Sequence, residues 1–254
     1  MAPRFKESEK ILENGKVLRH GKTTRLLHWL IALSIFSLFF SGFGQMPMYK
    51  RYMLVDVPGM AWTGDYALTL VLHYVGAIAL IVLVAFHLFY HAFRREFDIV
   101  PRKGDVGESV QIMKAMVTGK DEPPSHKYLA EQRLAYAFIG VSILGVIITG
   151  MVKVYKNLPG VDLAENTIFW MTQLHNITAM MILLGIVLHL AAFLVPANRK
   201  LIPSMFSGEV DASYVEHRHS KWWAQLLAKS TGSSTGTTRA STSSSDKSSK
   251  NISS

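Results

Sequence analysis

Along the chain, apolar residues gather in four long runs rather than in the short amphipathic stripes of a soluble domain. The runs extend from Leu26 to Gly44, Ala67 to Phe93, Leu134 to Val152 and Thr167 to Val195, and none contains Asp, Glu, Lys or Arg. Crossing a bilayer core as a helix takes about 20 apolar residues, so each run predicts one transmembrane helix. The first is too long and too poorly flanked for a cleavable signal and is expected to be retained. The expected fold class is an all-α membrane protein, a four-transmembrane-helix bundle. Residues 1–25 read as a basic N-terminal segment, 26–229 as the bundle with a C-terminal extension, and 230–254 as a Ser/Thr-rich tail. That tail has too little apolar surface to bury and is expected to be disordered. Trp222 and Trp223, just before it, are expected at headgroup level. No internal repeat stands out beyond a spacing of histidines.

Composition supports the membrane reading: 49% of the 254 residues are hydrophobic and 18% charged, and the mean hydropathy is +0.21 despite the polar tail. The chain has no cysteine, which excludes disulfides, thiolate zinc sites, iron–sulfur clusters and c-type haem attachment. A net charge of +9 could suggest nucleic acid, but 23 of the 27 Lys and Arg residues lie in three segments: 1–25, 94–133 and after Val195. The connections 45–66 and 153–166 carry two each. Basic residues mark the cytoplasmic side, so both termini and the middle loop are expected there, in a bacterial or archaeal cytoplasmic membrane. The charge is an orientation signal, and no nucleic acid is expected as a partner.

Polar side chains at membrane depth are costly and mark function, which directs attention to the histidines. His28, His73, His87, His175 and His189 lie in the apolar runs, with His91 just beyond His87. His73 and His87 are 14 residues apart in the second run, and so are His175 and His189 in the fourth. That spacing advances a helix by about 21 Å and keeps both residues close to one face. His73 and His175 then share the outer level and His189 lies at the inner one. Facing imidazoles with no carboxylate or thiolate nearby suit axial ligation of haem iron, and two such levels suit electron transfer across the membrane. At the inner level, spacing leaves two partners open for His189: His87 or His28. A zinc site closed by histidine alone is less suitable. A haem-free transporter is disfavoured because the runs lack acidic residues and proline breaks. His20, His126, His217 and His219 are expected to be solvated.

Several segments, taken in order, resemble the cytochrome b (gamma) subunit of membrane-bound formate dehydrogenases, and also the cytochrome b subunits of nickel–iron hydrogenases and thiosulfate reductases. They are Arg25-Leu-Leu-His28-Trp29, Ser41-Gly42, Leu72-His73, Lys127-Tyr128-Leu-Ala130-Glu-Gln132-Arg133, Thr149-Gly150, His175 and His189. Met205-Phe-Ser-Gly208-Glu-Val210 and His217-Arg-His219-Ser-Lys-Trp222-Trp223 complete the set, which covers about residues 20 to 225. The resemblance implies two haem b groups, one held by His73 and His175, the other by His28 and His189, with His87 left as a pocket residue. It implies electrons arriving from an iron–sulfur subunit, itself fed by a molybdenum or tungsten catalytic subunit, and passing to menaquinone or ubiquinone. Arg25, one turn before His28, could pair a haem propionate. Lys127, Tyr128, Glu131 and Gln132 stand in the segment that contributes to the quinone pocket. Relatives carry Asn where this chain has Leu129 and Gly where it has Glu131. His91 and Arg94 are expected to snorkel at the inner rim.

Overall fold

The computed structural model describes residues 9–120 and 122–241. In chain order the principal elements are β1 (Lys10–Ile11), β2 (Lys16–Leu18), α1 (Lys22–Gly44), α2 (Tyr66–Arg94), α3 (Asp105–Thr118), α4 (Ala130–Tyr155), α5 (Glu165–Ala191), β3 (Glu209–Asp211), α6 (Ala212–Arg218) and α7 (Ser220–Ser241). They form two compact units. One comprises Lys22–Val100 and Leu134–Leu194; the other takes the remaining three segments of the chain.

The first unit contains the helices long and apolar enough to cross a membrane: α1, α2, α4, and α5 with its extension to Leu194. Each apolar run lengthens at one or both ends by up to about a turn of polar or small residues, because local groups satisfy the helix ends. Asp65 caps α2, its carboxylate accepting from Ala67 N at 2.9 Å and Leu68 N at 3.2 Å. Arg95 closes the same helix in the left-handed region at φ 54°. Much of the apolar surface points outward: Val71, Val75, Ile78, Val82, Phe86, Phe89 and Phe93 form one exposed stripe along α2. A contiguous apolar face of that length suits lipid rather than water.

The centre of this unit is Ile35 of α1, Leu80 of α2, Ile143 of α4 and Ile182 of α5. Ile35 and Ile143 are 108 residues apart, and Leu80 and Ile182 are 102 apart. The same offsets relate the side chains packed around them: Ile31 with Ile139, Leu38 with Val146, Phe39 with Ile147, and Val84 with Ile186. Ser34 and Ser142 also match, and each hydroxyl donates to the carbonyl four residues earlier, at 2.9 and 2.7 Å. The hairpins α1–α2 and α4–α5 are therefore two versions of one packing pattern. This corrects the expectation of no repeat. The sequences have diverged and the connections differ in length, so the correspondence is sparse in the sequence and plain in the packing.

The second unit has a small sheet in the order β1-β2-β3, antiparallel throughout, with Val17 opposite Val210. Its core is Val17, Leu201, Val210, Tyr214, Val215, Trp222 and Leu226. Trp222 is thus a core residue, not an interfacial anchor, and Trp223 packs against the same cluster. The segment 1–25, expected only as a basic N-terminal segment, contributes the strands β1 and β2. Arg133 is buried and forked onto Asp105, with Nε to Oδ2 at 2.8 Å and Nη2 to Oδ1 at 2.6 Å. It also reaches the Tyr128 carbonyl and Glu108. Helix α7 runs on to Ser241, through the first part of the expected tail, helped by Ser230 and Thr231 hydroxyls that donate to Leu227 O. The rest of that tail, 242–254, lies outside the described residues.

Candidate haem-binding site

The histidines of the bundle fall into three ring contacts. His73 of α2 and His175 of α5 face each other with ring centres 6.4 Å apart. His28 of α1 and His189 of α5 also lie 6.4 Å apart, near the opposite ends of their helices. His87, the other candidate partner for His189, instead hydrogen-bonds Tyr136 of α4 at 3.1 Å and packs against the tilted ring of His91, ring centres 4.5 Å apart. His28, His73 and His175 are half-buried and His189 is exposed.

Around the first pair the local chemistry is specific. Ser41 Oγ lies 3.1 Å from His73 Nδ1 and Thr149 Oγ1 lies 3.0 Å from His175 Nδ1. Both hydroxyls already donate to carbonyls one turn back, Ser37 O at 2.8 Å and Gly145 O at 2.6 Å. A hydroxyl has one proton, so each accepts from its histidine. Nδ1 therefore carries the proton and Nε2 keeps a free lone pair, the arrangement an imidazole needs to bind metal through Nε2. The next residue on each helix is glycine, and a Cβ at Gly42 or Gly150 would stand 3.4 Å from Cε1 of His73 or His175. Ser41-Gly42 and Thr149-Gly150 are related by the offset of 108, His73 and His175 by that of 102. The first pair thus sits where the two halves of the repeat meet.

A family profile described as prokaryotic cytochrome b561 matches residues 19–208. The chain belongs to that family. It is a haem b membrane cytochrome of electron transfer, a multi-pass protein of the bacterial membrane. No curated protein matches it. The imidazole geometry of this cytochrome fits the group its family binds. With metal–nitrogen bonds of about 2 Å, and about 1.1 Å from ring nitrogen to ring centre, two axial imidazoles place their centres about 6 Å apart. Both pairs meet that separation.

The other expected site residues of the cytochrome are divided. Arg25 lies on α1, half-buried, one turn before His28. Lys127 is buried in the second unit, 3.4 Å from Glu9 and over the rings of Tyr128 and Trp222. Tyr128 also carries the Arg19 guanidinium 5.2 Å from its ring centre. Gln132 caps the start of α4, its Oε1 accepting from Leu129 N at 3.2 Å, half of a capping box. Glu131 Oε2 is buried with no hydrogen-bond partner among the described residues. His91 and Arg94 do not simply snorkel: both bind Glu96, at 3.1 and 3.0 Å. Their contacts, His91 first, hold the Glu96 carboxyl down at about 2. Of the histidines expected in solvent, His217 is exposed, whereas His219 is fully buried with Nδ1 2.7 Å from His126 O. Burial, then the positive charge of Arg19, pushes His219 down to about 3.

Sequence reading missed Ser41 and Thr149 as functional side chains, although both dipeptides were visible. A hydroxyl followed by glycine near the same end of α1 and α4 was the available signal.

Proposed function

We propose that this cytochrome carries two haem b groups, one on His73 and His175 and one on His28 and His189. It would serve as the membrane anchor that passes electrons from an iron–sulfur subunit to quinone. The observation that carries the reading is the pair of matched imidazole contacts at two levels of one bundle. Haem supplies one-electron storage at each level when bound. Ser41 and Thr149 hold the Nδ1 protons of the outer pair and aim the opposite nitrogens. Arg25 supplies positive charge one turn from His28. Each histidine pair would give the haem two imidazole ligands, and the chemistry it would supply there is electron transfer rather than substrate oxidation.

The partner enzyme we propose is of the formate dehydrogenase type, with a molybdenum or tungsten catalytic subunit and an iron–sulfur subunit. This rests on the ordered segments from Arg25 to Trp223. Hydrogenase and thiosulfate reductase cytochromes are the alternatives within the same class. Lys127, Tyr128, Glu131 and Gln132 belong to the proposed quinone-binding segment. Native membranes containing the full chain test the reading. Formate and a menaquinol or ubiquinol analogue should each reduce the b haems, and His189→Ala should keep the outer haem while losing quinone reduction. Reduction by hydrogen but not formate would move the assignment to the hydrogenase class, and failure of every quinol would refute the quinone role.

A further inference from the structure

The repeat gives every position in one hairpin a counterpart in the other. His28 corresponds to Tyr136 through the offset of 108, and His189 to His87 through that of 102. The contact between His28 and His189 therefore has a counterpart contact, Tyr136 with His87, and the ring separations agree at 6.4 and 6.2 Å. Arg25 and Arg133 correspond as well, one turn before each position. Tyrosine replaces a ligand in this second site, so the pair is joined by a direct hydrogen bond of 3.1 Å instead.

One helical turn further the halves differ in chemistry. Beside His189 lies the apolar ring of Phe193, ring centres 5.6 Å apart. The corresponding residue beside His87 is His91, 4.5 Å away. His91 Nδ1 meets Glu96 Oε2 at 3.1 Å, and Arg94 binds the other carboxylate oxygen. His91 is 19% exposed at the end of α2 that leads into the basic segment 94–133. One half of the repeat carries an apolar ring at this position; the other carries a polar chain toward that end.

We infer that Tyr136, His87 and His91 form a proton path on the second, haem-free version of the inner site, with Glu96 as the positioning residue at the end next to the basic segment. The inference rests on the quinone reading above. The donor pattern is consistent along the chain. An ionised Glu96 accepts from His91 Nδ1, which leaves His91 Nε2 as an acceptor, and the His87 ring stands beside it, ring centres 4.5 Å apart, a separation suited to relay through a shared water. His87 Nε2 then accepts from the Tyr136 hydroxyl. Reduction of a quinone to its quinol takes two electrons and two protons. The cytochrome's redox groups supply the electrons one at a time, and the path moves the two protons singly, inward for reduction and outward for quinol oxidation.

The test uses full-chain cytochrome in membrane vesicles, with Tyr136→Phe, His91→Leu and His91→Gly, and quinol-driven haem reduction followed by stopped flow. Each variant should keep the wild-type haem content and reduced spectrum. Quinol-driven reduction should slow by about 10-fold or more, and its solvent deuterium isotope effect should rise. Added imidazole should restore the rate of His91→Gly but not of Tyr136→Phe. Should Tyr136→Phe fail to assemble, the imidazole response of His91→Gly decides alone. Unchanged rates and isotope effects, or no imidazole rescue, overturn the path while leaving the quinone reading intact. Loss of a haem in any variant assigns these residues to haem binding and overturns the path. A wild type that no quinol reduces overturns the quinone reading and the path with it.

Discussion

Replacing the two hydroxyls that face the outer histidines probes the local chemistry of the site most sharply. In Thr149→Val the acceptor 3.0 Å from His175 Nδ1 disappears while the side-chain shape is kept, and Ser41→Ala does the same for His73 at 3.1 Å. A hydrogen bond from Nδ1–H makes the opposite nitrogen a better donor, which favours the oxidised metal. A typical bond of this kind contributes about 0.5–1.5 kcal/mol net. For a one-electron couple, 1.4 kcal/mol corresponds to about 59 mV. Each substitution should therefore raise the potential of the outer haem by roughly 20–60 mV. The double variant should approach the sum, because each hydroxyl serves a different ring. The assay is a redox titration of the b-haem absorbance in the purified full chain. The inner haem should not move. A fall in potential, no shift, or a shift confined to the inner haem would refute the assigned donor directions.

Three further outcomes follow from the packing. Asp105→Ala leaves buried Arg133 without its forked partner, which should cost about 3–5 kcal/mol; thermal unfolding in detergent reads it, and a loss below about 1 kcal/mol would contradict a buried pair. His219 stays neutral in the fold down to about 3, whereas the unfolded chain binds its proton near the ordinary histidine value of 6.5. Stability of the β1–β3 unit should thus decline as pH falls below about 6.5. Amide exchange over α6, compared at neutral and mildly acidic pH, would contradict this if protection were unchanged. Gly145→Ala would place a Cβ 2.6 Å from Thr178 Cγ2, an overpacking that should cost about 1–3 kcal/mol; unchanged detergent stability would show that α4 and α5 can separate freely.

The four spans were legible because the bilayer demands a crude and long signal, about 20 residues without charge. The inner-level pairing was not legible from spacing, which left His28 and His87 both open; the family resemblance preferred His28, and the packing brings His28 beside His189 and His87 beside Tyr136. The repeat was hidden for a related reason: the residues that match at the offset of 108, Ile31 with Ile139, Ser34-Ile35 with Ser142-Ile143 and Gly42 with Gly150, are scattered among apolar substitutions that any membrane helix carries. The second unit escaped because strands of two or three residues carry no periodicity, and Val17 meets Val210 across most of the chain. Its buried polar groups are joined across long stretches of chain: His219, expected in solvent, is buried against the His126 carbonyl, and Arg133 is buried against Asp105.

The central claim is that two histidine pairs hold two haems, and counting haem per chain tests it most directly. Pyridine-haemochromogen quantification on full-length protein should give two b haems in the wild type. It should give one in each of His28→Ala, His73→Ala, His175→Ala and His189→Ala, and two in His87→Ala. A His28→Ala protein that keeps both haems while His87→Ala loses one would contradict the assignment.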